Sequence, residues 1–373
     1  MAGPRICFST LGYPPAPGGV PRSAARVVGF FVEAGFDVHV FTVVFGEPLG
    51  KQIPQERGVH GVPVTTIPWD FRAETSANIL AFYSAIQDED GPRPFHLFHG
   101  YFLPFAYPCI LVAGGRRPVI ASIRGDDAVT GLCSPEFFPF INVVVQRSSW
   151  ITSVSADLLA AVSGLSCLEG RCSVIPNSIQ DAGFPRWQPT DTNRGVVGTI
   201  GTRPKKALPL LIEAYAGVAP SLRRRLHIIG PKQDENEQRR LQDAKERWDV
   251  DAEVSSLGAI AHDDIPAQLL AMRVYAQCSD HEGLPNAVLE AAAVGVPIIG
   301  TNVGGMTDIL RHRENALVVP RKNPAALTAA ITELLSDDAL ACRLSEGGRE
   351  LARRLSPANE KNAWLEIYRR HLS

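Results

Sequence analysis

Short apolar runs alternate with helix-like stretches along the chain, and this alternation predicts a parallel α/β fold. Residues 6–10 form an apolar run, followed by a loop rich in proline and glycine, a helical pattern from about 22 to 34 and a second apolar run at 37–44. A strand–loop–helix–strand order is typical of parallel sheets that are covered by helices. We therefore expect strands at both apolar runs and a helix between them.

The same pattern continues to the end of the sequence. Further strands are predicted at 62–67, 95–100, 226–230, 252–258 and 316–320, and further helices near 75–88, 103–114 and 235–247. Ser356 as N-cap and Pro357 at the first position predict a final helix, on which Trp364, Leu365, Tyr368 and Leu372 lie near one face. That face is expected to pack against the protein rather than to lie on a membrane.

The length of the chain predicts two domains. At 373 residues it exceeds what one ordinary core needs. The stretch 180–194 is rich in proline and polar residues and is the expected linker. We accordingly expect one α/β domain over 1–182 and a second over 183–355.

Composition excludes several other classes of protein. The net charge of −2 gives no global field for nucleic acid or an anionic membrane. The most apolar window, 97–113, is broken by histidine, glycine and proline and is too short to span a bilayer. Seven scattered cysteines, an odd number with no C-x-x-C spacing, predict reduced thiols in the cytoplasm, with neither a disulfide framework nor a metal site.

The stretch 279–305 carries the strongest chemical signal. It predicts a loop, a helix whose first turn contains Pro285, a stop at Gly295, a short apolar strand and a second glycine loop. Orphan backbone amides at a helix start favour an anion. The amides expected there belong to Gly283, Leu284 and Asn286.

Two glutamates flank this helix start. Glu282 precedes it and Glu290 follows eight positions later. At ~1.5 Å per residue the two carboxylates stand on the order of 10 Å apart, roughly the length of a sugar joined through a diphosphate to a ribose. The plainer alternative, one solvated and one capping glutamate, is outweighed by the accompanying GLPN and VGG segments.

The segment EGLPNAVLEAAAVGVPIIGTNVGG resembles the donor-site signature of the retaining glycosyltransferases of family 4. The resemblance implies a GT-B fold, with two Rossmann-like domains facing a central cleft and a C-terminal helix, here 356–373, that crosses back to the N-terminal domain. It also implies a nucleotide-diphosphate sugar as donor, with Glu282 on the sugar and Glu290 on the ribose.

The same resemblance extends to the loop after residue 200. The family places an arginine and a lysine there to neutralise the diphosphate leaving group. Lys206 matches the lysine, with Ala207 where glycine is usual, and Gly201 is expected beside the donor. Arg203 sits closer to the lysine than the family spacing predicts, and Lys205 is an alternative cation. Fixed positive charge is what breaking a sugar–phosphate bond requires.

In the N-terminal half the resemblance is carried by two loops. Gly18 and Gly19 follow the first strand, where a glycine loop in this family approaches the donor phosphates and the acceptor; alone, GGV predicts a flexible turn equally well. After the strand near residue 120, Asp127 matches the acid of the family's His-Gly-x-Asp segment, but Arg124 replaces the histidine. Arginine can only donate and stays charged, so it is expected to hold a phosphate or an acidic acceptor, or else to pair with a neighbouring aspartate.

We therefore predict a metal-independent, retaining hexosyltransferase without a bound cofactor. Its donor is a nucleotide-diphosphate sugar, with a UDP-sugar favoured over a GDP-sugar, and its acceptor is the hydroxyl of a small molecule, a glycan or a lipid-linked molecule. The alternative is a non-catalytic sugar-nucleotide-binding protein, which the Arg124 substitution favours. A glycosidase and a dinucleotide dehydrogenase fit less well, since the two glutamates share one helix region and no G-x-G-x-x-G turn is present.

The predicted acceptor region lies in the N-terminal loops. Its aromatic residues suggest an acceptor that is apolar or that stacks a sugar ring on them. A peripheral membrane contact through this domain is a further possibility. These aromatic residues are Tyr13, Trp69, Phe71, Tyr101 and Phe102.

Overall fold

The computed structural model describes residues 3–180, 183–190 and 192–372. The described chain forms two compact units. The first extends to Asn177 and includes the residues from Ala358 onward, and the second runs from Ser178 to Pro357. The boundary expected after residue 182 lies a few residues further along, at a position outside the described ranges.

The first unit is built on an eight-stranded sheet in the order β3-β4-β2-β1-β5-β6-β7-β8. All neighbouring pairs are parallel except β3 with β4. The strands are β1 (Arg5–Thr10), β2 (Asp37–Phe45), β3 (Glu56–Arg57), β4 (Pro63–Trp69), β5 (Leu97–Tyr101), β6 (Val119–Ile123), β7 (Trp150–Ser153) and β8 (Cys172–Val174). The helices are α1 (Gly19–Glu33), α2 (Thr75–Asp90), α3 (Leu103–Ala113), α4 (Asp126–Val129), α5 (Phe138–Arg147) and α6 (Ala156–Val162).

The second unit has a six-stranded parallel sheet in the order β11-β10-β9-β12-β13-β14. Its strands are β9 (Val196–Ile200), β10 (Arg225–Ile229), β11 (Val254–Gly258), β12 (Val274–Gln277), β13 (Ile298–Thr301) and β14 (Leu317–Val319). Its helices are α7 (Leu208–Ala216), α8 (Glu235–Arg247), α9 (Ile265–Leu270), α10 (Asn286–Val294), α11 (Met306–Ile309), α12 (Pro324–Ser336) and α13 (Asp338–Arg354).

Most predicted elements are present, with differences at their ends. The first helix begins at Gly19 rather than near residue 22, because Gly18 is its N-cap and takes a φ of +122°, a conformation that glycine adopts readily. Helix α5 was not predicted, since its sequence is rich in β-branched and aromatic residues. It nevertheless buries Ile141, Val144 and Val145, which have helical spacing.

The predicted linker is anchored to the second unit where the structure describes it. The Trp187 side chain is buried, and its indole Nε1–H donates to the Met272 carbonyl at 2.8 Å. The Trp187 backbone N–H donates to the Val294 carbonyl at 3.1 Å. The polar composition of residues 180–194 predicted a linker between the domains. The buried Trp187 instead makes the described part of this stretch belong to the folded second unit.

The final helix, α14 (Pro357–Leu372), packs into the core of the first unit. Its Tyr368 ring stacks on Phe31 with centroids 4.0 Å apart, and Trp364 is fully buried. The Tyr368 hydroxyl lies 2.6 Å from His99 Nδ1, and His99 Nε2 lies 2.7 Å from Ser122 Oγ. Burial holds the pKa of His99 well below its usual value, so the ring is neutral and one nitrogen donates while the other accepts.

Two further predictions concern the cysteines and membrane-spanning helices. Each of the seven cysteines is a free thiol in the structure. Over the described ranges, no helix is both long and apolar enough to cross a membrane.

Removing the buried hydroxyl of Tyr368 should destabilise the first unit. We expect Tyr368→Phe to lower the free energy of unfolding by about 1–3 kcal/mol, because His99 loses a partner that burial prevents water from replacing. Urea unfolding followed by fluorescence measures this difference. Tyr83→Phe is the matched control, since the Tyr83 hydroxyl makes no hydrogen bond within the described chain, and equal losses in both variants would contradict the account.

Candidate active site

The candidate site lies where the strand order of the second sheet reverses. From β9 the chain moves outward through β10 to β11, and then returns to place β12 on the other side of β9. Loops at the carboxyl ends of β9 and β12 therefore diverge to opposite faces and leave a crevice, which is where open α/β sheets bind ligands. The loop after β9 carries Gly201 to Lys206, and the loop after β12 carries Cys278 to Pro285.

A buried ion pair joins these two loops. The Lys206 ammonium donates to Glu282 Oε1 at 2.6 Å, and the side chains are only 12% and 6% exposed. Lys205 Nζ lies 3.8 Å from Glu282 Oε2. The Lys205 carbonyl also accepts a hydrogen bond from the backbone N–H of Asp280 at 2.8 Å, so backbone and side chains fix the loops together.

A chain of hydrogen bonds along β12 holds the Glu282 carboxylate. Tyr275, Gln277 and Ser279 alternate along the sequence, so they point to the same face of the strand. The Tyr275 hydroxyl donates to Gln277 Oε1, and Gln277 Nε2 donates to Ser279 Oγ at 2.7 Å. Ser279 Oγ in turn donates to Glu282 Oε1 at 2.7 Å. Because all of these groups are buried, the carboxylate has little freedom to move.

The balance of burial and charge leaves Glu282 ionised. Burial by itself would raise the pKa of this carboxyl, but the ammonium groups of Lys206 and Lys205 and the hydrogen bonds from Lys206 and Ser279 outweigh it, and the pKa is lowered. Burial raises the pKa of Tyr275 well above its usual value, and the nearby charges of Glu290 and Glu282 add to that shift. The charges of both predicted carboxylates thus act on the same tyrosine.

Glycine is required at two places around the ion pair. A β-carbon on Gly201 would lie 2.7 Å from Lys206 Cε, and φ at Gly201 is +107°. A β-carbon on Gly304 would lie 1.9 Å from the Glu282 carbonyl oxygen. Any side chain at these positions would therefore displace one partner of the pair.

The turn that carries both lysines is strained at its end. Residues Pro204–Lys206 form a single 3₁₀ turn, and Ala207 follows with a left-handed φ of +49° before α7 begins. This conformation costs an alanine roughly 1–2 kcal/mol relative to the right-handed one. It explains why glycine is the expected residue here, and it directs Lys205 and Lys206 back toward β12.

Arg203 occupies a different environment from the two lysines. It precedes the turn and is exposed at the surface of the unit. The structure thus brings Lys205, and not Arg203, to Glu282 alongside Lys206. Sequence analysis named Arg203 and Lys205 as alternative cations. It could not distinguish them, because the direction of each side chain depends on a turn of only three residues.

Helix α10 carries the second carboxylate. Pro285 is the N-cap rather than a residue of the first turn, and the helix runs from Asn286 to Val294 with Gly295 as its left-handed C-cap. Glu290 is buried, and its Oε1 lies 3.6 Å from Nδ1 of the half-exposed His262.

The amides expected at the start of α10 lie in a fixed loop. The Gly283 carbonyl accepts a hydrogen bond from the Gly305 N–H at 2.7 Å, which ties the predicted second glycine loop to the first. Leu284 is buried and Asn286 is the first helical residue. Residues that sequence analysis missed here are Ser279, Gln277 and His262; the alternation of polar residues after an apolar strand was the available signal for the first two.

Two predicted residues of the first unit, Arg124 and Asp127, directly follow β6. Asp127 lies at the start of α4, where its carboxylate accepts backbone N–H groups of Leu103, Arg124 and Gly125 at 2.7–3.1 Å. Burial nevertheless raises the pKa of Asp127 to about 6. The Arg124 guanidinium donates to Asn177 Oδ1 and lies 4.2 Å from the centre of the Tyr101 ring. Arg124 is thus held by an amide and an aromatic ring, and its backbone, not its guanidinium, bonds to Asp127.

Two family models match the chain, one on each half. The model described as Glycosyltransferase Family 4 matches residues 17–182, and the model described as Glycosyl transferases group 1 matches residues 187–351. The 2-deoxystreptamine N-acetyl-D-glucosaminyltransferase of Streptomyces fradiae is 27% identical over 208 residues, which is 52% of this chain and 48% of that protein. The chain therefore matches about half the length of this curated relative.

Solved structures match almost the entire chain. Sucrose-phosphate synthase from Thermosynechococcus elongatus has a TM-score of 0.84 at 18% identity, with 98% of each chain covered. Anabaena HepE in complex with UDP has a TM-score of 0.78 at 17% identity, with 98% of this chain and 99% of that chain covered. At these identities the likeness shows the fold.

The fold and the family follow from these matches. The chain is a two-domain α/β protein of the GT-B class, as the sequence predicted. It belongs to the glycosyltransferases of family 4.

The ion pair predicts how stability depends on pH. Because the pKa of Glu282 is lower in the folded protein than in the unfolded chain, its contribution is present above the unfolded value and is lost as pH falls through the folded value. We expect Glu282→Gln to cost about 3 kcal/mol near neutral pH and less at pH ~3.5, because below the ordinary glutamate pKa of ~4.3 the unfolded chain binds the proton more readily than the folded protein does. Urea unfolding at both pH values measures the difference. Glu235→Gln, on the surface, is the control, and a cost independent of pH would contradict an ionised Glu282.

Proposed function

We propose that this protein is a retaining glycosyltransferase that moves a hexosyl unit from a nucleotide-diphosphate sugar to a hydroxyl acceptor. The observation that carries the proposal is the buried Lys206–Glu282 pair at the reversal point of the second sheet. A cation and a carboxylate held side by side suit a donor that presents a diphosphate and a polyhydroxylated sugar at adjacent positions. The donor sugar, the acceptor and retention at the anomeric carbon are parts of the proposal.

The diphosphate is assigned to the two lysines. Cleavage of the sugar–phosphate bond places negative charge on the leaving diphosphate, and fixed cations in a low-dielectric site stabilise that charge. Lys206 and Lys205 are mostly buried and are already oriented by Glu282. Since these two cations supply positive charge, we propose that transfer proceeds without a bound metal ion. Full activity in excess chelator would support this, and loss that magnesium or manganese restores would refute it.

The nucleoside is assigned to the region of Glu290. This carboxylate is buried in the middle of α10 and lies beside His262, which follows β11. A buried carboxylate can accept hydrogen bonds from both ribose hydroxyls, and the resemblance to family 4 supports this assignment. UDP is favoured over GDP because the structural neighbour HepE was solved in complex with UDP.

Glu282 is assigned to the sugar and not to proton transfer. Its lowered pKa keeps it ionised, so it cannot act as the general acid that a glycosidase would need. An ionised carboxylate accepts hydrogen bonds from sugar hydroxyls. In the proposed reaction the acceptor hydroxyl attacks the anomeric carbon from the face on which the diphosphate leaves. The new glycosidic bond forms as the sugar–phosphate bond breaks, and the leaving phosphate takes the proton of the hydroxyl. The protein contributes orientation and charge stabilisation.

The acceptor is assigned to the first unit, where an aromatic pair is exposed. Phe45 ends β2 and Phe71 follows β4, and their rings stack with centroids 5.6 Å apart. Phe71 is 71% exposed, so its outer face is open to an apolar or sugar ligand. Of the other predicted aromatic residues, Tyr13, Trp69 and Tyr101 are buried and pack in the core instead. An exposed aromatic pair fits a lipid-linked acceptor and a peripheral membrane contact.

The second candidate function is sugar-nucleotide binding without transfer. It is favoured by Arg124, which stands where the family has histidine and is held by Asn177 and Tyr101. The two functions are separated by one experiment. Incubation with UDP-sugars and a panel of hydroxyl acceptors, followed by mass spectrometry and by NMR of the anomeric proton, should give a glycoside with the donor's configuration. Tight binding of the donor with no product across the panel would favour the second function.

Loss of the Glu290 carboxylate should weaken nucleotide binding. We expect Glu290→Ala to reduce the affinity for UDP by roughly 10-fold or more, because hydrogen bonds to a charged group contribute about 1.5–3 kcal/mol. Isothermal titration calorimetry measures the affinity. Glu246→Ala, an exposed glutamate on α8, is the matched control. Unchanged affinity in Glu290→Ala would remove this residue from the nucleotide site.

Loss of the Lys206 ammonium should affect turnover far more than nucleoside binding. We expect Lys206→Ala to lower kcat by roughly 100-fold or more, since its charge acts mainly on the departing diphosphate. The affinity for uridine, which lacks phosphates, should change little. A parallel Arg203→Ala variant should lose less activity, because Arg203 is exposed and outside the ion pair. Equal losses of turnover and uridine affinity would contradict the role given to Lys206.

A further inference from the structure

The two oxygens of the Glu282 carboxylate have different surroundings. Oε1 accepts hydrogen bonds from Lys206 Nζ at 2.6 Å, Ser279 Oγ at 2.7 Å and Gln277 Nε2 at 3.3 Å. Oε2 makes no hydrogen bond within the described ranges, and Lys205 Nζ is 3.8 Å away from it. Since a carboxylate oxygen has about two lone-pair sites, Oε1 is already saturated by the protein. A sugar hydroxyl can therefore bind only at Oε2.

Oε2 is also the oxygen through which this buried residue reaches solvent. Glu282 is 6% exposed. Over the described residues, a few buried polar atoms have neither a hydrogen-bond partner nor contact with solvent, and no atom of Glu282 is one of them. Because Oε2 has no hydrogen-bond partner in the described chain, it must be in contact with solvent. A ligand can bind it there.

The side chain of Gln277 determines the direction of the hydrogen bonds that end at Oε1. Its amide oxygen can only accept, so the Tyr275 hydroxyl donates to it. Its amide nitrogen can only donate, so Ser279 Oγ accepts at 2.7 Å and directs its own proton to Glu282. With the amide reversed, the amide oxygen would face the ionised carboxylate at 3.3 Å, and the two would repel each other. This chain of groups therefore has one favourable arrangement.

Gln277 itself cannot touch a ligand. It lies on β12, and both Gln277 and Ser279 are fully buried. Strands that are buried on both faces are usually apolar, since a buried amide costs free energy unless its donors and acceptors are paired. The amide of Gln277 can therefore influence a ligand only through the orientation of the Glu282 carboxylate.

We propose that Gln277 is a positioning residue that restricts sugar recognition to Oε2 of Glu282. A carboxylate that rotates freely can present either oxygen and accept hydroxyl groups in several positions. A carboxylate fixed through Oε1 accepts them only where Oε2 lies, so a sugar whose hydroxyl is placed elsewhere binds less well. Gln277 thus contributes to selectivity among donor sugars. This inference rests on the proposed function, in which Glu282 binds the sugar.

Gln277→Met tests this role, because methionine has a similar length but lacks the amide donor and acceptor. Isothermal titration calorimetry measures binding of UDP-glucose, UDP-galactose and UDP-N-acetylglucosamine. The affinity for the donor that the parent protein binds best should fall roughly 10-fold, and the differences among the three donors should narrow at least about threefold. The affinity for UDP, which has no sugar, should change less than about twofold.

A second variant keeps the test available should Gln277→Met fail to fold. Ser279→Ala is a smaller change that removes the group between Gln277 and Glu282, and it should give the same pattern of affinities. In a double variant the two effects should be less than additive, because both act on Oε1 of the same carboxylate.

Tyr215→Phe is the matched control. It also removes a hydrogen bond of a buried residue in the second unit, from the Tyr215 hydroxyl to Glu253 Oε2 at 3.0 Å. Glu253 precedes β11 and so lies at the amino edge of the sheet, opposite the carboxyl ends that form the site. The control variant should keep the parent's preferences among the three donors.

The outcomes separate this inference from the proposed function. Equal losses of affinity for UDP and for the UDP-sugars would mean that Gln277 only supports the fold, and would overturn the inference. The same holds if Tyr215→Phe gives the same pattern, or if the donor preferences of Gln277→Met and Ser279→Ala stay those of the parent. Failure of the parent protein to bind UDP and all three UDP-sugars would count against the proposed function, and the inference would fall with it.

Discussion

The second unit depends on one desolvated ion pair, Lys206 with Glu282. Removing either charge from such a pair leaves the other buried without compensation, at a cost of about 3–5 kcal/mol. The surrounding structure is arranged to prevent this. The alternating polar residues of β12 fix the carboxylate from one side, and Lys205 supports it from the other. Two glycines leave the space that the pair occupies.

The same pair explains how a common fold acquires a specific site. A reversal of strand order creates a crevice in any doubly wound sheet, but the crevice alone has no chemistry. Here the loops on its two sides carry opposite charges and are joined by the backbone hydrogen bond between Asp280 and Lys205. The carboxylate stays ionised and the lysine is already oriented. Both groups therefore need little rearrangement to bind a charged, hydroxylated ligand, which is what electrostatic preorganisation means.

Much of the fold could be predicted because it follows from alternating apolar runs and helical patterns. The final helix was predictable from its cap and its aromatic face, and it packs as expected. The linker was not, because composition cannot reveal that one tryptophan, Trp187, is buried. Helix α5 could have been found from the spacing of its buried residues, had the strand preference of valine and isoleucine not obscured it.

The sequence singled out residues for the candidate site, but it could not predict their contacts. Glu282 and Glu290 stood out through their spacing and the neighbouring GLPN segment. That Lys205 rather than Arg203 faces Glu282 depends on the three-residue turn and on the left-handed Ala207, which no pattern of residue types encodes. Likewise, Arg124 could not be assigned to Asn177 and Tyr101 from sequence, since these residues are distant along the chain.

The most direct test of this account is a crystal structure of the protein soaked with UDP. We expect the diphosphate within hydrogen-bonding distance of Lys206 Nζ and the ribose hydroxyls on the Glu290 carboxylate. Nucleotide density elsewhere on the protein, with both groups still engaged only by their present neighbours, would contradict the central claim.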